Sequence, residues 1–383
     1  MGLKNEAQSA FQNTKSFYKE YVSGMTRERM GKEFYKDTDR LKQLYSEAIG
    51  EDIDKAEEDS VPGHLKIMRL FSALTQRLNP TRRLVFGLSV ISFVSHYLFG
   101  FLQITGFVFF YNLLLPFAFI SMSMLLLVEL LEKSDVKREI DLAREIQLSL
   151  LPNTEHYRNN LEIASFANTA KEVGGDYVDI IETDEGTYIV IADVSGKGLS
   201  AALYMVRMQA LVHLIIEKSQ PSPKELFLEL NNYVKSDIKD KTFVTACAAF
   251  FPNEEDHFIF ARAGHNAPIL FSNERDATFD LRSDGFALGM TTSANMEHYL
   301  QEKKFHFKNG DSILFYTDGL TESRNKWGEE YGDERLDGIM SVYGSLHSKS
   351  IIHKIQSSLE NFIGKEEPVD DVTFTCVHHT ANK

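Results

Sequence analysis

No Asp, Glu, Lys or Arg occurs between Leu84 and Val128, forty-five residues of a 383-residue chain. A bilayer core of about 30 Å is crossed by some twenty helical residues. The run "LVFGLSVISFVSHYLFGFLQITGFVFFYNLLLPFAFISMSMLLLV" is therefore long enough for two spans, roughly Leu84–Leu102 and Gly106–Val128, with "QITG" as the turn between them. A buried hairpin in a water-soluble fold would keep a charged face. Arg77, Arg82 and Arg83 precede the run, and Lys133, Lys137 and Arg138 follow it. Positive flanks stay on the cytoplasmic side. The expectation is a multi-pass protein of the cytoplasmic (inner) membrane, with both flanks inside and almost nothing outside.

The remainder is polar. A net charge of −14 argues against nucleic acid as a partner. The two cysteines, Cys247 and Cys376, form no metal-ligand spacing and fit a reducing compartment. The first residues lack the apolar core of a signal peptide. Residues 1–80 read as a cytoplasmic region of short polar helices without a catalytic motif. Residues 129–152 read as a linker helix ended by Pro152. In it Val136, Ile140, Ala143, Gln147 and Leu150 make a heptad-like stripe. That stripe fits a helix that pairs two chains, giving a homodimer, or one that packs on its own domain.

Residues 153–383 alternate differently. Strand-like runs occur at "LEIASFA", "DYVDIIE", "GTYIVIADV", "FVTACAAFF", "HFIFARAG", "APILFS", "DSILFYTD" and "DVTFTCVH". Helix-like runs begin at Leu199, Ser222 and Ser350. Short turns join most strands and the helices fall in two blocks, which is an α+β pattern built on antiparallel sheets.

The stretch Ile191–Leu203, "IADVSGKGLSAAL", ends a strand on Asp193 and starts a helix after a Gly-Lys-Gly turn. It is not a Walker loop: Ile191 stands where the first glycine belongs, and Gly198 follows Lys197 in place of Ser or Thr. Asp176, Asp193, Asp318 and the pair Asp370–Asp371 each abut an apolar strand. One such aspartate is an ordinary turn former. As a set they suit hard divalent cations, which take oxygen ligands.

These blocks, with "GGDYVDI", "AGHNAPILF", "YTDGLTESRNKWGEEYG" and "DDVTF", resemble the SpoIIE/RsbU-type branch of the PPM serine/threonine phosphatases over roughly Leu142–His378. "AREIQLSLLP" is similar to the linker that leads into that domain. The resemblance implies a central antiparallel β-sandwich flanked by helices. It implies two ions, Mn²⁺ or Mg²⁺, held by Asp176, Asp193, Asp318, Asp370 and the Val194 carbonyl, with Asp371 tuning Asp370 from behind. It further implies hydrolysis of phosphoserine or phosphothreonine by metal-activated water on a regulatory protein resembling an anti-sigma-factor antagonist. Lys197 reads as a turn residue. His265 and Asn266 read equally as catalytic groups or as a turn, and stay outside the catalytic set. Val178 and Phe286–Ala287 depart from the family pattern without touching a ligand position. Two rival readings remain: a membrane signalling scaffold with a vestigial metal site, and a two-metal nucleotide phosphodiesterase.

Overall fold

The computed structural model describes residues 80–102, 108–152, 155–237, 242–253, 255–364, 366 and 368–381. The expected polar helices up to residue 79 and the "QITG" turn lie outside the described residues. The chain divides into two units at Lys133–Ser134.

In the first unit, α1 (Pro80–Leu102) and the start of α2 (Val108–Leu150) carry the uncharged run. Helix α2 continues through Pro116 and includes the expected linker as one uninterrupted helix. The helices are antiparallel, because Arg82 Nη1 donates to Glu132 Oε2 at 2.8 Å and Glu129 Oε2 at 3.3 Å. Midway, the Ser89 and Ser121 hydroxyls meet at 2.6 Å. Small polar side chains of this kind join helices in an apolar medium. Leu84, Ile91, Tyr97, Phe119, Ile120 and Leu126 are each more than half exposed. A helix pair that is apolar on its outer surface suits a bilayer and not water.

The second unit is a four-layer structure. One sheet has the order β1 (Glu155–Arg158), β2 (Leu161–Asn168), β11 (Val372–His379), β10 (Ser312–Tyr316), β7 (Ile269–Ser272), β8 (Ala277–Asp280). The other has the order β3 (Asp176–Glu182), β4 (Gly186–Val194), β5 (Val244–Pro252), β6 (His257–Ala263), β9 (Glu302–His306). Every ladder is antiparallel. Strand alternation sends Val178, Ile189, Ile191 and Cys247 of one sheet against Ile163, Ile313, Phe315 and Val377 of the other. The opposite face of the β3–β9 sheet packs on α3 (Leu199–Ser219) and α4 (Pro223–Asp237). The outer face of the β1–β8 sheet packs on α7 (Asp333–Tyr343) and α8 (Ser348–Ile363). Two short helices, α5 (Ser293–Tyr299) and α6 (Asp318–Thr321), complete the unit. Leu199–Ser219 is also apolar and long enough to span a bilayer. Its Met205, Met208, Val212, Ile215 and Ile216 are buried in the core beside the sheet, so it is an interior helix.

The expected α+β sandwich matches this arrangement. The strands missing from the sequence reading are β1, β8 and β9, all at sheet edges. In β9, Glu302, Lys303 and Lys304 are exposed, and charge of this sort guards an edge strand.

Candidate metal centre

Asp176 opens β3 and Asp193 lies directly across from it on β4. Directly opposed residues of an antiparallel pair project from the same face, with Cβ atoms about 5 Å apart. By alternation with Val178 and Ile191 that face is the one turned to the other sheet. The two carboxylates therefore sit at the mouth of the sandwich. Across the gap, the Thr317 hydroxyl at the end of β10 donates to Asp176 Oδ2 at 2.8 Å. Asp318 follows at the first turn of α6.

The pair before β11 divides its tasks. Asp371 Oδ1 accepts from the Ala170 N–H at 2.8 Å, and Oδ2 accepts from the Gly175 N–H at 2.7 Å. Both of its oxygens are thus occupied in holding the loop that leads into β3. Asp370 instead takes the Lys197 ammonium on Oδ2 at 2.6 Å, while Oδ1 accepts from the Asp371 N–H. Lys197 also donates to the Val369 carbonyl at 3.1 Å. Its turn reading holds, since Gly196 and Gly198 on either side have φ of 108° and 77°. Its ion pair with Asp370, 173 residues away, carries no local sequence signal.

Electrostatics bind the set together. Burial, then the charges of Asp318, Asp370 and Asp371, push Asp193 up to about 7, with Lys197 opposing. Burial and Asp193 raise Asp176 well above the usual carboxylate range, against the threonine hydrogen bonds. Burial and Asp370 raise Asp318. Glu322 is raised too, by burial and then by Asp318, Glu330 and Asp370. A pocket whose acids disfavour one another's ionisation holds excess negative charge, which a cation relieves.

The donor set fits a hard divalent ion. Every donor is oxygen, and both thiols are buried in the cores, away from the mouth. A Cβ on Gly175 would lie 3.0 Å from the Val194 carbonyl oxygen and 3.6 Å from Asp193 Oδ1. The glycine keeps that carbonyl open beside the carboxylates. Among the described residues no three acidic, His or Cys side chains close on one point by themselves.

Two further contacts escaped the sequence reading. Gln147 of α2 is buried and clamps Gly174 from both sides: its Nε2 donates to the Gly174 carbonyl at 2.6 Å, and its Oε1 accepts from the Gly174 N–H at 3.1 Å. The end of the linker helix is thus joined to the loop that carries Asp176. Gln209 of α3 adds a bond to the Leu150 carbonyl at 2.9 Å. The heptad stripe contained Gln147, but not the information that its amide is used inside its own domain. His265, read as catalytic or as a turn, follows β6 in the connection between the sheets and is buried.

A family model described as Stage II sporulation protein E (SpoIIE) matches residues 183–380. Phosphoserine phosphatase RsbU of Bacillus subtilis is 29% identical over 196 residues, covering 51% of this chain and 57% of that protein. The chain spans about half the length of the curated relatives it matches. Among solved structures, the SiaA-PP2C domain of Pseudomonas aeruginosa superposes with a TM-score of 0.56 at 17% identity, covering 64% of this chain and 98% of that one. The PP2C phosphatase domain of Bacillus subtilis SpoIIE, with a fragment of its regulatory domain, gives a TM-score of 0.51 at 18% identity, covering 60% and 66%. The fold is of the PP2C type.

Proposed function

The chain belongs to the SpoIIE family, and from that premise we propose that it is a membrane-anchored, divalent-metal-dependent protein serine/threonine phosphatase. The observation that carries this reading is the meeting of Asp176, Asp193, Asp318 and Asp370, from four separate segments, at one mouth of the sandwich. Two ions, Mn²⁺ or Mg²⁺, would be held by these four side chains and the Val194 carbonyl. When bound, such ions supply an activated water and neutralise charge on a phosphoryl group. The chain's own residues do the rest. Asp193 pairs across the sheet with Asp176 and feels the charges of Asp318 and Asp370. Thr317 fixes the rotamer of Asp176. Asp371 acts from behind, holding Ala170 and Gly175 in place.

The proposed substrate is a phosphorylated regulatory protein resembling an anti-sigma-factor antagonist; the likeness to a phosphoserine phosphatase supports the phosphoserine part of that reading. The proposed organisation is a cytoplasmic region over 1–80, a transmembrane hairpin over 84–128, a linker helix over 129–152 and the phosphatase domain over 153–383, facing the cytoplasm. A homodimer through the linker belongs to the same proposal.

The test is Mn²⁺-dependent phosphate release from phosphoserine peptides by the full chain. It is paired with phosphoproteomics of a strain lacking it, in which a small regulator should become hyperphosphorylated. A scaffold with a vestigial site would release nothing. A nucleotide phosphodiesterase would turn over cyclic dinucleotides and spare the peptides.

A further inference from the structure

Thr245 of β5 lies directly opposite Asp193 of β4. Asp176, Asp193 and Thr245 therefore form one row on the inner face of their sheet, with Thr245 half-buried at the mouth. Behind Thr245 is His265, only 4% exposed. Its Nδ1 is 2.9 Å from the Thr245 hydroxyl oxygen. The ring also lies against the Tyr316 backbone, two residues before Asp318. Its Nε2 is enclosed and has no hydrogen bond of standard geometry. Arg262 fixes the segment, donating to the His265 carbonyl at 2.5 Å and to the Ser283 carbonyl at 2.7 Å. The imidazole thus bridges the two sheets between the strand beside Asp193 and β10, which ends at Tyr316 just ahead of Asp318.

The direction of this bridge depends on which ring nitrogen carries the proton. Burial and the Arg262 guanidinium push the imidazole pKa down to about 3, so the ring is neutral and carries one N–H. In the proposed tautomer that N–H is on Nε2, because the Tyr316 carbonyl against the ring can only accept and Nδ1 faces the Thr245 hydroxyl. Nδ1 is then a bare acceptor, and the Thr245 hydroxyl must donate its single proton inward to it. What Thr245 presents to the row of carboxylates is lone pairs alone. The group that complements them is a donor, and in a site of acids that donor is a water molecule.

We propose that Thr245 and His265 are a positioning pair for the hydrolysis, in which His265 locks the Thr245 hydroxyl as an acceptor that aligns the attacking water beside Asp193. The proposal rests on the phosphatase reading of the carboxylate site. No proton is transferred to either residue; the pair orients and does not act as base. Thr245→Val keeps shape and removes the hydroxyl, whereas Thr245→Ser restores it. His265→Asn keeps an acceptor near the Nδ1 position, and His265→Leu does not.

The experiment uses the full chain in lipid bilayers with Mn²⁺ and p-nitrophenyl phosphate, together with ¹⁵N solid-state NMR of ring-labelled histidine. His265 is assigned by difference against His265→Asn. The proposal expects an unprotonated, hydrogen-bonded Nδ1 that shifts on Thr245→Val. It expects kcat to fall about tenfold in Thr245→Val through lost orientation, with KM and Mn²⁺ affinity unchanged and with recovery in Thr245→Ser. The double variant Thr245→Val/His265→Leu should be no slower than the slower single variant, because the two act as one unit. A protonated Nδ1, a full kcat in Thr245→Val, or additive losses in the double variant would overturn it. If the wild type showed no Mn²⁺-dependent turnover at all, the phosphatase reading would fall and this role with it. Turnover with a protonated Nδ1 overturns the positioning pair alone.

Discussion

Exchanging Asp370 and Asp371 for asparagine, one at a time, should give opposite results in the metal-free protein. Asp371 accepts two backbone N–H groups, one on each oxygen. A hydrogen bond to a charged acceptor is worth about 1.5–3 kcal/mol. Asparagine keeps one acceptor and turns an NH₂ against the other N–H, so Asp371→Asn should cost about 2–4 kcal/mol. For a domain of this size each kcal/mol moves Tm by about 2–4 °C, which gives a fall of about 4–16 °C. Asp370 has an ion pair to Lys197 whose two side chains are 38% and 43% exposed. Such pairs contribute about 0–1 kcal/mol. Asp370→Asn should therefore shift the metal-free Tm by no more than about 4 °C. The assay is thermal unfolding of the full chain with chelator present. If Asp370→Asn melted far below wild type while Asp371→Asn did not, the division of tasks within the pair would be reversed.

Three further outcomes follow from the same structure. Asp193 has its carboxyl raised from its ordinary value of 3.8 to about 7. The folded state then binds more protons than the unfolded state between those values, so metal-free stability falls as pH rises from about 4 to 7. Denaturant titrations at pH 5 and pH 8 should show the loss, about 3 kcal/mol from this group, and Asp193→Asn should reduce it; a wild-type protein equally stable at both would contradict the charge argument. Reporter fusions at residues 80 and 135 should both report the cytoplasm, and opposite answers would mean one span. Ile140→Glu should change the specific activity of the full chain in membranes, with a dimer cross-linked through position 143 in wild type. Equal activity and no cross-link in either would leave the hairpin as a plain anchor.

Much of the fold was legible because its central strands are apolar runs with sharp ends. "GTYIVIADV" corresponds residue for residue to the central strand β4, and "DYVDIIE" to β3, an edge strand that is nonetheless mostly buried and apolar. Edge strands β1, β8 and β9 were not legible, since an edge gains from charge what a central strand gains from apolar alternation. Helix α6 was missed because four residues carry no periodicity. At the site, the aspartates stood out by position, each against a strand. Their supporting contacts did not. Thr317 and Asp176 are separated by 141 residues, and Gln147 and Gly174 belong to different elements. No local pattern encodes such pairings, which arise only when the two sheets close. Lys197 shows the same limit: its place in the turn is written in the two glycines, but its reach to Asp370 depends on where β11 begins.

Asp193 is proposed as the heart of a divalent-metal phosphatase site, and Asp193→Asn is the substitution that decides it. Mn²⁺ binding by calorimetry and phosphate release from a phosphoserine peptide should be measured on the same full-length preparation, alongside its Tm. Loss of a carboxylate shared by the site should remove several kcal/mol of transition-state stabilisation, about a thousandfold in rate. That loss should come together with weakened Mn²⁺ binding and a metal-free Tm no lower than wild type, since one repelling charge is gone. A variant that keeps most of the Mn²⁺-dependent rate would contradict it.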